Sequence, residues 1–375
     1  MNPILQHGGP RTAARKAGGG LADLKRLRGA LFGDPLNALL SLGVLALLAW
    51  SLPALLGWAV LEAQFSPDVN ACEALGHRGA CWGVVVEKAR FILLGRYPAE
   101  QAWCPILAAL LIIGGWLGTA SGRLPGVAVA ACLLLPPLLA CALLGGGFAG
   151  LEAVPTELWG GLPLTLLLTG AGLAGALPLG IAIAYGRRSS LPLLRALLTA
   201  GVELARGIPL VAALFMASFM LPLFFPEGGG LDMLWRVLIA IVLFAAAYLS
   251  EIVRGGLQAF PDGQRDGAAA LGLTPWQTER WIVLPQVLRQ VAPSLANSGI
   301  ALFKDTSLVT VVSLYELTGS LGLALAGDAQ WRPFYLEAWL FIAAIYWVGC
   351  SLIARLARLA TRSARAAGTP SSPPP

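Results

Sequence analysis

Runs of about 20 mostly apolar residues recur along nearly the whole chain, and they constrain its fold more than any other feature. A helix of that length crosses the hydrocarbon core of a bilayer, where every backbone N–H and C=O group must find its partner within the protein. Of the 375 residues, 57% are hydrophobic and only 12% are charged, which is about half the usual charged fraction of soluble domains. The sequence therefore predicts an all-α, polytopic membrane protein.

The apolar windows predict about eight transmembrane helices. They lie at 36–60, 102–120, 125–145, 161–185, 197–225, 234–253, 294–315 and 335–355. The first window is too long for the core of a signal peptide, so we interpret it as an uncleaved span. We divide the chain into a basic cytoplasmic tail (1–35), extra N-terminal helices with an outer loop at 62–100 (36–150), a core (151–360) and a Pro/Ser-rich disordered tail (361–375).

The placement of lysine and arginine predicts the orientation. If both termini are cytoplasmic, the inner segments hold 18 of these residues and the outer segments hold 5, as cytoplasmic loops favour positive charge. The loop at 62–100 then lies outside, where Cys72 and Cys81 could form a disulfide if that compartment is oxidising; two unpaired thiols are the alternative. Because the arginines are dispersed between apolar runs, the net charge of +6 indicates an anionic membrane surface and no nucleic-acid partner.

The polar stretch 262–290, DGQRDGAAALGLTPWQTERWIVLPQVLRQ, separates two apolar runs. Its glycines and alanines predict a short helix with little side-chain bulk that ends at Gly272, since glycine suits the left-handed residue after a helix. The sequence Thr-Pro-Trp-Gln that begins at Thr274 is typical of a capping box at the start of a second helix. A small-residue helix would bury almost nothing as core, so we interpret it as a part inserted into another protein; a plain linker is the alternative.

The run Gly-Gln-x-acidic-x-Ala-x-Ala-Leu-Gly in this stretch resembles the cytoplasmic coupling motif of permease subunits in bacterial ABC importers. ELARGIPL (203–210), AYLSEIVRGGLQAFPDGQ (247–264) and KDTSLV (304–309) resemble the polar amino-acid permease subfamily, and the similarity runs from about 160 to 356. The extra N-terminal spans and the CEALGHRGACW loop are similar to the longer permease of general L-amino-acid systems. The motif usually reads Glu-Ala-Ala, where this chain has Asp-Gly-Ala.

This resemblance implies a type I ABC importer permease core of five helices that carries L-amino acids across a bacterial inner membrane. It implies a coupling helix at 263–272 that seats in an ATPase cleft. Its coupling residues are Gly263, Asp266, Gly267, Ala268, Ala270 and Gly272. The implied partners are a second homologous permease subunit, two ATPase subunits that bind ATP and Mg, and a periplasmic amino-acid-binding protein. A permease for another small nutrient and an ion-coupled secondary carrier are the alternatives.

The chain lacks the residues of an ATPase or a metalloenzyme. None of its four lysines follows a glycine, so no phosphate-binding Gly-Lys-Ser/Thr loop is present. His7 and His77, both in polar segments, support neither a metal site nor histidine-based catalysis. We therefore expect no catalytic residues in this chain and ATP hydrolysis in a separate subunit.

Charged residues within spans are costly, so each is a candidate for the substrate path or its gate. Glu203 and Arg206 are three residues apart, as are Glu251 and Arg254, and each pair can neutralise itself along one helix face. Pro209 follows the first pair and predicts a bend or break, either as part of a gate or as a kink that relieves packing.

Lys304 and Asp305 lie about ten residues into their predicted span, near the bilayer midplane. One hypothesis is that Lys304 pairs with the carboxylate of an amino acid and Asp305 with its ammonium group, while Thr306 and Ser307 add hydrogen bonds. The alternative is a structural pair that bonds to neighbouring helices.

Overall fold

A computed structural model of the chain describes residues 28–29, 31–76, 78–120, 124, 126–225 and 230–367, without the side chains of 120 and 360–367. Most of the expected basic tail and the end of the expected disordered tail lie outside the described residues, as do His7 and His77. The described part is helical, with isolated β-bridges at Gln64–Cys81 and Gly161–Glu316. The all-α prediction is confirmed for that part of the chain.

The helices follow one another along the chain, with short 3-10 turns at Thr156–Leu158 and Arg332–Phe334 between them. They are α1 (Pro35–Leu56, continued as a π-helical segment over Gly57–Leu61), α2 (Val69–Leu75), α3 (Gly83–Leu94), α4 (Trp103–Ala120), α5 (Gly126–Gly145), α6 (Gly161–Gly186), α7 (Pro192–Gly207), α8 (Leu210–Phe215, continued through Phe224), α9 (Met233–Gln258), α10 (Asp262–Ala270), α11 (Pro275–Gln277, continued as a π-helical segment over Thr278–Val283), α12 (Leu284–Asp305, continued as a 3-10 segment over Thr306–Val312), α13 (Leu317–Ala326) and α14 (Tyr335–Ala367).

Five helices of the described part are long and apolar enough to cross a membrane. They are Pro35–Leu61, Gly126–Gly145, Gly161–Gly186, Met233–Gln258 and Arg332–Leu359. The pair Pro192–Gly207 and Leu210–Phe224, bent by 106°, gives up to six. The structure is therefore that of a multi-pass helical membrane protein. The number of eight transmembrane helices stays a prediction.

Two predicted spans differ from the structure. The window 197–225 is two helices with a sharp bend, because Pro209 has no N–H to continue the ladder and Ile208 before it is extended (φ −102°, ψ 146°). In the window 294–315 the α-helix starts earlier, at Leu284, and changes to a 3-10 segment after Asp305. The following 3-10 segment, TSLVTVV, is rich in β-branched and hydroxyl residues, which are weak helix formers.

The chain divides into two compact units. The smaller comprises Met1–Gln64 and Asn70–Cys81. In its described part, Cys72 and Cys81 form a disulfide with their Cα atoms 5.5 Å apart. The backbone N–H of Gln64 donates to the carbonyl of Ala80 at 2.8 Å, so this unit contains a short covalently closed loop.

The larger unit, Phe65–Val69 and Trp82–Pro375, is built around α6. The buried face of α6 includes Leu164 and Leu168, and its core also contains Ile241 of α9 and Phe303 of α12. A Cβ atom added at Gly172 would lie 3.1 Å from the Ile241 side chain. Small residues of this kind let membrane helices approach closely. This packing brings α6, α9 and α12 together around the cavity described below.

Candidate functional site: an exposed helical corner and a cavity

The helix α10 ends in a left-handed turn at Gly272. Its φ of +77° is accessible to glycine at little cost. The N–H of Gly272 donates to the carbonyl of Ala269 at 2.9 Å, and the N–H of Leu273 donates to Ala268 at 3.1 Å. These two bonds form a Schellman motif. The predicted stop is therefore present, although the helix itself occupies Asp262–Ala270.

The predicted capping box at Thr274 is present and begins the next helix. The N–H of Gln277 donates to Thr274 Oγ1 at 3.3 Å, and the N–H of Thr274 donates to Gln277 Oε1 at 2.9 Å. Pro275 occupies the first helical position, where its missing N–H costs nothing. Two short capped helices thus meet at a fixed corner.

The small-residue helix has an inner and an outer face. Ala268 is only 4% exposed, which corrects the expectation that this helix buries almost nothing. Gly263, Asp266, Gly267 and Ala270 are exposed. A Cβ atom added at Gly263 or Gly267 would meet nothing within 4 Å. The outer face is therefore smooth, open and available to a second protein.

Leu271 stands at the tip of this corner and was not singled out from the sequence. Its side chain is 83% exposed, an unusual place for a large apolar group next to a turn. The signal was present in the sequence, since this leucine interrupts a run of glycines and alanines. Leu271 therefore adds one large apolar group to a surface otherwise made of small residues.

A chain of polar contacts joins α10 to the long helix α6. The Nε of Arg265 in α10 donates to the carboxylate of Glu279 at 3.0 Å. The hydroxyl of Tyr185 in α6 donates to the other carboxylate oxygen at 3.0 Å. The Arg265 guanidinium also lies 5.4 Å from the centre of the Phe260 ring. Glu279 therefore links α10 to the end of α6.

An ion network centred on Glu251 joins α6, α7 and α9. One carboxylate oxygen accepts from Arg187 at 2.5 Å, and the other accepts from Arg254 at 2.7 Å. Arg206 of α7 reaches the same carboxylate at 3.7 Å. The Arg187 side chain is only 7% exposed, so its charge depends on Glu251 for compensation.

Glu203 and Arg206 do not pair with each other among the ion pairs of the described residues. Glu203 contacts Arg187 at 3.8 Å with its own side chain 62% exposed, whereas the Arg206 guanidinium lies 5.7 Å from the centre of the Tyr248 ring. The other expected pair, Glu251 with Arg254, is present. Arg187, which lies beyond the predicted end of its span, is the partner that the sequence did not indicate.

A cavity of about 270 Å³ lies in the larger unit between α6, α8, α9 and α12. Its wall is mostly apolar, and its polar groups come from Tyr248, Ser298 and Asp305. Lys304 and Ser307 do not line it, and Lys304 is exposed. Successive helical residues point about 100° apart, so the two charges of this sequence pair face different surroundings.

Glu316 is a buried acid that was not singled out from the sequence. Its carboxylate accepts hydrogen bonds from Thr165 at 3.0 Å, Tyr346 at 2.8 Å and Thr310 at 3.2 Å. Two backbone N–H groups at the start of α13 also donate to it, at 2.8 and 3.2 Å. The sequence could have indicated this residue, because it is an acid between two apolar runs. Its hydrogen bonds connect α6, α13 and α14.

This arrangement, a multi-span helical bundle with an exposed helical corner outside its spans, is that of a multi-pass membrane protein. Residues 176–366 match the model of the family described as binding-protein-dependent transport system inner membrane component. The chain belongs to this family. It is therefore a multi-pass inner-membrane subunit of an ABC transporter, the ATPase activity resides in another subunit, and a binding protein is a further component.

Two relatives align with most of the chain. It is 39% identical over 373 residues to the inner membrane amino-acid ABC transporter permease protein YhdY of Escherichia coli (strain K12), covering 99% of this chain and 100% of that protein. It is 31% identical to the glutamate/glutamine/aspartate/asparagine transport system permease protein BztC of Rhodobacter capsulatus, covering 87% of this chain and 90% of that protein. A crystal structure of an amino acid ABC transporter with histidines matches with 28% identity and a TM-score of 0.47, over 54% of this chain and 91% of that one.

Proposed function

We propose that this chain is the permease subunit of an ATP-driven importer that carries L-amino acids across the inner membrane. The exposed corner formed by α10 and α11 carries this proposal, because its small residues face outward and its geometry is fixed by two caps. The relatives named as amino-acid permeases over nearly the full length support the substrate class.

The corner is the ATPase-coupling element. Gly263, Gly267 and Ala270 form a surface that fits closely into a cleft, and Leu271 enters a pocket at its end. Two ATPase subunits bind ATP and Mg, close on each other and displace the corners of this chain and of a second, homologous permease. The Arg265–Glu279–Tyr185 contacts transmit that displacement to α6, which changes access to the path as a rigid-body switch.

The cavity beside Asp305 is the part of the substrate path that this chain contributes. A carboxylate in a mostly apolar wall attracts a cation strongly, because little water screens it. We assign Asp305 to the ammonium group of the amino acid and Tyr248 and Ser298 to its hydrogen bonds. Lys304 faces away from the cavity and is not part of this assignment.

The Glu251 network is the gate on the cytoplasmic side of this cavity. Arg206 belongs to the network and also lies against Tyr248, which lines the cavity. The break at Pro209 places Leu210 on the cavity wall directly after the bend. With both termini in the cytoplasm, the network lies between the cavity and the cell interior, and the Cys72–Cys81 disulfide lies outside.

Uptake into proteoliposomes tests the proposal. The vesicles contain both permeases and the ATPase, with ATP enclosed on the ATPase side and the binding protein on the other. We expect labelled amino acids to accumulate only with ATP and to do so in the presence of a protonophore. Uptake that persists without ATP and collapses with the protonophore would identify an ion-coupled carrier. A peptide or other nutrient, not an amino acid, as the ligand bound by the co-expressed binding protein would reject the substrate class.

A further inference from the structure

A groove of about 600 Å³ separates the end of α6 from the corner that carries α10. One wall is the surface of α6 from Pro178 to Tyr185, and the other runs from Pro275 to Leu284. The lining is almost entirely apolar in its interior. This volume is within the usual range for small-molecule sites, about 300–1,000 Å³, and neither the coupling helix nor the substrate cavity uses it.

The mouth of the groove has the residues of a membrane–water boundary. Trp276 lines it with 71% of its surface exposed, and Trp281 nearby is 58% exposed. Tryptophan is enriched at the headgroup level of bilayers, since its ring is apolar and its N–H needs a partner. The groove therefore runs from an apolar interior to an interfacial rim.

Arg280 is a cation of the groove lining that forms no ion pair within the part of the chain that the structure describes. It is exposed. Glu279 also lines the groove, but its two carboxylate oxygens are occupied by Arg265 and Tyr185 at 3.0 Å each. The free charge at the site is therefore positive.

We propose that this groove binds an inner-leaflet anionic phospholipid, with an acyl chain against Ile181 and Ala182 and the phosphate on Arg280. Basic pockets between membrane helices on the cytoplasmic side favour anionic headgroups for the same electrostatic reason. Because the two walls belong to α6 and to the coupling corner, the bound lipid fills the space across which the Arg265–Glu279–Tyr185 contacts pass. The lipid is thus a structural component of the coupling element.

Photo-crosslinking tests this site. The complete assembly is reconstituted in phosphatidylcholine vesicles that contain a small amount of phosphatidylglycerol with a diazirine on its acyl chain. We expect labelled peptides from 178–185 and 275–284. In Arg280→Gln this labelling falls about fivefold, whereas in Arg289→Gln, an exposed arginine of α12 outside the groove, it is unchanged. A diazirine phosphatidylcholine labels the groove more weakly and equally in the two variants.

A second variant tests the acyl-chain part of the site. Ala182→Trp fills the groove from its exposed wall and abolishes labelling there. Unchanged labelling by phosphatidylglycerol in Arg280→Gln, or equal labelling by both lipids in the wild type, would overturn the proposal. Crosslinks from the groove to the ATPase or to the second permease in place of lipid would also overturn it. None of these readouts depends on amino-acid uptake, so the lipid site and the proposed function are judged separately.

Discussion

Asp305 is the residue on which the substrate assignment depends. Asp305→Asn removes the negative charge from the cavity and keeps the side-chain volume, so the ammonium group of the substrate loses its partner. We expect amino-acid uptake to fall about tenfold or more, because an unpaired charge in an apolar cavity costs well over 1.4 kcal/mol. Uptake is measured in proteoliposomes.

Lys304→Met is the matched control, since this neighbour lies outside the cavity wall. It removes one charge from the same helix, and we expect uptake close to that of the wild type. Equal loss in the two variants would mean that the charge pair is structural and that the cavity is not the substrate path.

Arg187 is the buried hub of the Glu251 network. Arg187→Met leaves the Glu251 carboxylate without its contact at 2.5 Å, and we expect a loss of about 2 kcal/mol in the free energy of unfolding. Thermal unfolding of the purified chain in detergent measures this. Arg195→Met, which removes an exposed arginine of α7, serves as the control and leaves the midpoint unchanged. A similar fall in both variants would mean that the network adds no stability.

The local parts of the site could be predicted from the sequence, and the distant contacts could not. Thr274 and Gln277 form a capping box and are only three residues apart, so the sequence pattern alone predicts it. Glu316 bonds to Thr165 and Tyr346, which are 151 and 30 residues away, and no local pattern indicates such partners. The inward direction of Asp305 and the outward direction of Lys304 likewise depend on which helices surround α12.

At the level of elements, the break at Pro209 is the main departure from the predicted spans. The sequence indicated a bend there but not its size, because a proline marks a break without fixing the angle between the two helices. Spin labels at Leu197 and Phe219, both exposed, report this angle. The 106° bend places them about 20 Å apart, against about 33 Å for a straight helix.

Gly207→Ala with Pro209→Ala restores the N–H donor and the helix propensity at the break. We expect the distance distribution from double electron–electron resonance to move toward the longer value. Pro222→Ala, a change beyond both labels, keeps the wild-type distribution. A distribution that stays short in the double variant would assign the bend to surrounding contacts and not to these two residues.

The helix α3 is fixed to the connection between α13 and α14 by an ion pair of Lys88 with Asp328 at 2.8 Å. The hydrogen bond from Lys88 holds the pKa of Asp328 below its usual range. The ion pair therefore contributes stability above the ordinary carboxyl pKa of about 4 and loses it as the pH falls through the lowered value.

At neutral pH the pair stays charged, so we expect slow hydrogen exchange of the α3 amides. In strong acid, where Asp328 becomes protonated, we expect these amides to exchange faster. Asp328→Asn gives the opened behaviour at every pH. Equal protection of α3 in the variant and the wild type at neutral pH would show that the ion pair does not hold this helix.

At the scale of the whole molecule, we propose that the helical bundle converts movement of the exposed corner into a change of access to the internal cavity. The corner is joined to α6 by three polar side chains, and α6 packs against α9, which lines the cavity through Tyr248. The capping pattern in the sequence and the family resemblance predicted this corner. The connection to the cavity required the structure, because its members come from separate helices.

The most direct test is ATP-driven uptake by Gly267→Trp in the complete assembly. A side chain at this position meets nothing within 4 Å in its own chain, so the change affects only a partner that covers the corner. We predict that the ATPase no longer co-purifies and that uptake is abolished, while Gly126→Trp, the same change at an open glycine of α5, behaves as wild type. An ATPase that remains bound with full uptake in Gly267→Trp would contradict the account.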